Sequence, residues 1–131
     1  MKKIIPIALV LLFFSFAGKA QVIRKIGRVD TIIKTPNALC ESCKKRIETY
    51  LKSYDGILEV IVNYKKAETR VKFLTDRINI EEIKAYIANC GYDADDVPAA
   101  EDIYNRLPIT CKKFEDGGGH PKPKIPPPPQ Q

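Results

Sequence analysis

The chain has 131 residues, 29% of them charged, a formal net charge of +6 and a single histidine. That length holds one small domain with a modest core and leaves no room for a second. With His120 as the only histidine, and no Ser/His/Asp set, phosphate loop or carboxylate pair, most hydrolytic and group-transfer mechanisms lack a base, and no enzymatic activity is expected.

Residues 1–20 read as a secretory signal peptide: Lys2 and Lys3 precede an apolar run of 14 residues, 4–17, and Gly18-Lys19-Ala20 places small residues around a cleavage point. The run is shorter than the ~20 residues a spanning helix needs, and Pro6 lies inside it. No stable membrane insertion is expected after cleavage. The new N-terminus, Gln21, is not the cysteine of lipoprotein processing. An exported, periplasmic or secreted protein follows. Cleavage removes Lys2, Lys3 and Lys19 from 22 basic residues set against 16 acids, so the net charge falls to +3, too low to point to nucleic acid.

After a lead-in, the β-branched stretch 29–35 predicts a first strand with Val29, Thr31, Ile33 and Thr35 on one face. Pro36 and Asn37 open a loop that carries Cys40. From about Ser42, the spacing of Cys43, Ile47, Tyr50, Leu51 and Tyr54 predicts a helix with one buried stripe, stopped by Asp55-Gly56. Residues 57–64, with Leu58, Val60, Val62 and Tyr64 alternating, and 67–74, with Thr69, Val71 and Phe73 alternating, predict a hairpin with one wet face. Asn79 and Glu82 form a capping-box pattern before a second helix whose stripe is Ile80, Ile83, Ile87 and Cys90. Gly91 closes that helix, and residues 92–97 predict a last strand before Pro98. The order βαββαβ packs two helices on one face of a four-stranded antiparallel sheet, an α+β, ferredoxin-like sandwich.

Residues 99–113 read as an extension with a short helix, from which Ile103, Tyr104 and Leu107 can pack back. Residues 114–131, with Gly117-Gly118-Gly119 and four consecutive prolines from Pro126, read as a disordered, partly polyproline tail. Such a tail could itself bind a partner, although proline-rich tails are commonly spacers.

Cys40 and Cys43 stand three positions apart at the junction of strand and helix. A pair so spaced can close on one soft metal ion or oxidise to a disulfide. In an exported chain four cysteines suggest two disulfides, yet the regular elements between them make such a framework dispensable for folding.

The order of elements, with CxxC between the first strand and first helix, resembles the heavy-metal-associated domain found in copper chaperones and metal-transporting ATPases. The resemblance spans residues 28–98. Lys45-Arg46-Ile47-Glu48 looks like the family's helix start, Asp55-Gly56-Ile57 like its turn into strand two, and Cys90-Gly91-Tyr92 like its Gly-Tyr turn into strand four. Asn37-Ala38 stands where the family usually has Gly-Met. The methionine normally packs under the metal loop, so Ala38 implies a looser or differently supported one.

By this resemblance Cys40 and Cys43 are the metal ligands, and the turn at Cys90 approaches the metal loop, so Cys90 could add a third sulfur; its alternative is to complete the buried stripe of the second helix. Tyr92 would shield the site or simply fill a half-buried strand. Cys43, in the first helical turn, should have a lowered pKa. Soft sulfur at low coordination selects Cu(I), with Ag(I), Hg(II) and Zn(II) the other ions the pair could take, Zn(II) being poorly served by two cysteines alone. Cys111 and His120 could fold over the site; more simply, Cys111 pairs elsewhere or stays unengaged and His120 is solvated. Lys44, Lys45, Arg46, Lys65 and Lys66 either steer an acidic partner or merely solvate a helix face and a turn. The implied function is capture and hand-over of a soft ion outside the cytoplasm, to a metal-transporting ATPase or other metal-accepting protein. The alternative is a thiol–disulfide redox protein with Cys40 as nucleophile and Cys43 as resolver, against which the Trp-Cys-Gly-Pro-Cys flanks of thioredoxins are absent.

Overall fold

The computed structural model describes residues 27–121. The expected signal peptide and the end of the tail lie outside the described residues. The elements are β1 (Arg28–Lys34), α1 (Glu41–Leu51), β2 (Ile57–Asn63), β3 (Glu68–Leu74), α2 (Ile80–Asn89) and α3 (Glu101–Asn105), followed by 3₁₀ turns at Ile109–Cys111 and Phe114–Asp116. The sheet is antiparallel in the order β1-β3-β2, as the ferredoxin-like arrangement requires.

Alternation sets the faces. Ile33, Val60, Val62, Thr69, Val71 and Phe73 turn inward and are buried with Ile47 and Leu51 of α1 and Ile83 and Ile87 of α2. The outer face carries the ion pairs Asp30–Arg70 and Glu59–Lys72. Leu58 departs from the expected pattern. Ile57 and Glu59 pair with the adjacent residues Phe73 and Lys72, so Leu58 is the extra residue of a bulge and is 47% exposed, while Ile57 packs against the core. Glu48 reaches from α1 to accept the Val62 N–H at 2.9 Å, which fixes the helix over β2. The two helices close over the sheet with Tyr54 stacked on Tyr86, ring centroids 3.8 Å apart. Asn79 and Glu82 form the expected capping box, each side chain accepting the other's backbone N–H at 2.9 Å.

The expected fourth strand is the main difference. Among the described residues the sheet has three strands, and residues 92–97 lie against the end of β1 as a tight turn. Ala94 bridges to Val97, and Asp95 exchanges two bonds with Lys34, its N–H donating to the carbonyl at 2.9 Å and its carboxylate accepting the Lys34 N–H at 2.8 Å. Asp95 takes the left-handed conformation, φ +49°, which acidic and amide side chains tolerate and a continuous strand does not. Pro98 then removes a donor.

Residues 99–121 pack back on the domain. Gly91, at φ +96°, turns the chain out of α2, and the place a side chain would occupy there is filled by Leu107 at 3.1 Å. Residues 114–121, expected as the start of a disordered tail, have a definite course: Gly118 N–H donates to Lys113 O and Gly119 N–H to Ile109 O, each at 2.9 Å, and Tyr104 Oη donates to Asp116 at 2.5 Å. Glycines permit backbone approaches that other residues block, so a run read as too flexible to pack makes the tight return instead. A Cβ on Gly118 would lie 2.1 Å from the Lys112 carbonyl oxygen. Among the described residues no helix is long and apolar enough to cross a membrane.

Candidate metal centre

The loop between β1 and α1 is held from below. Thr35 is buried, its hydroxyl 3.0 Å from that of Thr69, and its N–H donates to Ala67 O at 2.8 Å. Asn37, 2% exposed, accepts the Asp93 N–H at 2.8 Å. Ala38 is fully buried and bonds back to Thr35 O at 3.0 Å. Where a methionine was the expected support, an amide tied to the turn after α2 takes that part, so the loop is differently supported rather than loose.

Cys40 is the N-cap of α1. Its backbone is extended, its carbonyl accepts the Lys44 N–H at 3.0 Å, and its sulfur accepts the Cys43 N–H at 3.2 Å. A sulfur takes the part usually played by Ser, Asn or Asp. The first turn of a helix presents unpaired N–H groups and a partial positive charge, which stabilise a thiolate set there. In the structure it is Cys40 Sγ that receives a first-turn N–H. Cys43 is fully buried and Cys40 only half-buried, so Cys40 is the more accessible residue of the pair. The two are closed as a disulfide with Cα atoms 5.2 Å apart.

The extension brings two further donor atoms to this pair. Cys111, 1% exposed, places Sγ 3.7 Å from Cys40 Sγ. His120, 3% exposed, places Nε2 3.3 Å from Cys43 Sγ, and its Nδ1 is buried without a hydrogen-bond partner. Burial holds the imidazole below its ordinary pKa and so favours the neutral, ligating form. The ligand atoms of Cys40, Cys43 and His120 all lie within 4.8 Å of one another. Neither Cys111 nor His120 sits in a periodic stripe, so local pattern does not mark them as site residues. The available signal was Ile103, Tyr104 and Leu107, which pack the extension down and leave Cys111 four residues on. Lys113 secures that docking: its N–H donates to Tyr104 Oη at 2.8 Å and its Nζ pairs with Asp93 at 3.0 Å.

Cys90, the expected candidate for a third sulfur, is not in this group. It ends α2 and is buried at the helix crossing, the stripe position that was its alternative reading. Burial pushes its thiol up to about 11, which the Arg46 charge offsets only in part, so it remains protonated at neutral pH. Tyr92 is fully buried, its hydroxyl without a hydrogen bond of ordinary geometry but neighbour to the Cys111 thiol; burial first, and that thiol second, raise its pKa.

A three-stranded antiparallel sheet under two helices, with a thiol pair at the N-terminus of the first, defines a ferredoxin-like domain built around a thiol loop. A family model, "Heavy-metal-associated domain", matches residues 32–93. The copper chaperone CopZ of Staphylococcus epidermidis is 31% identical over 62 residues, covering 47% of this chain and 91% of that protein. A probable copper-exporting P-type ATPase of Archaeoglobus fulgidus is 33% identical over 76 residues, 58% of this chain but only 10% of the ATPase. Oxidized MerP from Ralstonia metallidurans CH34 superposes with a TM-score of 0.51 at 16% identity, over 53% of this chain and 96% of that one, a likeness of fold. The chain belongs to the heavy-metal-associated domain family.

Proposed function

We propose that the reduced chain binds Cu(I) as cargo through Cys40 and Cys43 and passes it, outside the cytoplasm, to a metal-accepting protein such as a metal-transporting ATPase. The observation that carries this is the sulfur pair at the N-cap of α1, with the Cys43 N–H on Cys40 Sγ. Two thiolates around Cu(I) carry a net charge of −1, which the helix N-terminus and the neighbouring Lys44, Lys45 and Arg46 offset. The half-buried Cys40 is the sulfur an incoming thiol replaces first, and the buried Cys43 is released second. The matched relatives, a copper chaperone and a probable copper-exporting ATPase, support copper as the ion. Residues 1–20 support export. We read the chain as a binding protein rather than an enzyme.

Anaerobic Cu(I) titration of the reduced protein against a competing chelator tests the reading. The double variant Cys40→Ser/Cys43→Ser should lose competition; if it competes as well as the wild type, the reading fails. A second reading, thiol–disulfide exchange with Cys40 as nucleophile and Cys43 as resolver, is favoured by one observation, the closed Cys40–Cys43 bond. Catalytic turnover of a disulfide substrate at the expense of a dithiol, lost in Cys40→Ser, would establish it.

A further inference from the structure

The geometry points to a closed four-ligand site: we propose that Cys111 and His120 join Cys40 and Cys43 in the reduced protein to hold a thiophilic divalent cation, of which Zn(II) is the class fitted. The proposal rests on Cys40 and Cys43 being metal ligands and gives their loop a second coordination mode and a second ion.

Sulfurs bound to one tetrahedral ion at about 2.3 Å lie about 3.8 Å apart, and a sulfur and an imidazole nitrogen slightly closer. Cys40 Sγ and Cys111 Sγ are 3.7 Å apart, and Cys43 Sγ and His120 Nε2 are 3.3 Å apart. Each distance joins a loop sulfur to an atom from the extension: His120 lies with Cys40 and Cys43 in one group of ligand atoms within 4.8 Å of one another, and Cys111 stands at the edge of that group, in reach of it through Cys40.

The imidazole supplies independent support. A glycine-rich surface segment has no packing reason to bury a histidine, and burying a polar ring without partners is costly. Here the ring is 3% exposed, Nδ1 has no partner, and Nε2 is directed at a cysteine sulfur. A metal bond at Nε2 would explain that orientation. Beside the ring lies a cavity of 210 Å³ lined by Asn37, Leu39, Phe114 and His120 itself.

Charge selects the ion. Three thiolates and a neutral imidazole give a net charge of −1 around a divalent ion and −2 around Cu(I), and the more negative centre is harder to bury. Cys₃His is a closed set with no open position for ligand exchange, so in this mode the ion is retained rather than handed on. The docked extension would thus decide between a transferable two-sulfur site and a retained four-ligand one.

Anaerobic Co(II) titration of the reduced full chain, with Zn(II) displacement against a chelator, tests this. The wild type should show a sulfur-to-cobalt charge-transfer band of three-thiolate intensity. Cys111→Ser should lose about a third of it, and both Cys111→Ser and His120→Ala should weaken Zn(II) binding at least about tenfold, while Cu(I) competition persists. Circular dichroism checks the fold, and if Cys111→Ser unfolds, His120→Ala decides alone. A two-thiolate band in the wild type, or Zn(II) affinity within twofold across wild type and variants, overturns the proposal and leaves the Cu(I) reading standing. Failure of that reading would be seen separately, in Cys40→Ser/Cys43→Ser.

Discussion

Cys40 and Cys90 stand at opposite ends of two helices packed on the same sheet: Cys40 caps the N-terminus of α1, and Cys90 the C-terminus of α2. Cys40 sulfur receives a backbone N–H and is half-buried; Cys90 is 5% exposed, meets spent carbonyls and not free donors, and has its thiol raised to about 11. The same side chain is thus a half-buried helix cap in one place and an apolar filler in the other. Position relative to the helix end and to water decides which, not the residue type.

Metal binding should separate the two most widely. Cys40→Ser/Cys43→Ser should lower Cu(I) affinity more than about a hundredfold, beyond what loss of a supporting contact costs, whereas Cys90→Ser should stay within about twofold. Chelator competition measures both, and a comparable loss in Cys90→Ser would break the contrast.

Thiol reactivity separates them next. At pH 7 a thiol with pKa about 11 is roughly one part in ten thousand thiolate, against a few per cent for an ordinary cysteine. In the reduced protein Cys40 should alkylate at least about a hundredfold faster than Cys90. The Cys90 rate should rise about tenfold per pH unit until it levels near 11. Alkylation mapped by mass spectrometry over pH 7–9 checks this, and equal rates would show that the crossing opens to solvent.

The sequence made these two ends unequally legible. The helices, the hairpin and the capping box at Asn79 are written in local periodicity, and a stripe position for Cys90 follows from Ile80, Ile83 and Ile87. Leu58 and residues 92–97 escaped because a bulge and a left-handed Asp95 break alternation without changing composition. Cys111 and His120 escaped because their approach to Cys40 and Cys43 depends on contacts 71 and 77 residues apart in the chain. No periodic signal carries such contacts, and the tight turns that make them possible share the glycines of a flexible linker.

Stability should reverse the order of importance. Cys90→Ser puts a hydroxyl into a buried apolar crossing and should cost about 1–3 kcal/mol, read as a lower urea midpoint under reducing conditions. Asn79→Ala, which removes the side-chain cap of α2, should cost about 1 kcal/mol and leave Cu(I) binding unchanged.

The smallest effect is expected at Cys40, the sulfur we propose as a metal ligand. A thiol is a weaker hydrogen-bond acceptor than the hydroxyl of a serine, which is among the preferred N-caps. In the reduced protein Cys40→Ser should therefore keep the bond from the Cys43 N–H and leave stability unchanged or raise it by up to about 0.5 kcal/mol. Urea unfolding of both proteins with excess reductant checks this, and a loss above about 1 kcal/mol would mean that the sulfur is needed for the fold. If stability holds while Cu(I) binding falls, the cap of α1 has a sulfur where an oxygen would serve the helix at least as well. The reason for cysteine at that position then lies in the chemistry of the pair and not in the architecture that holds it.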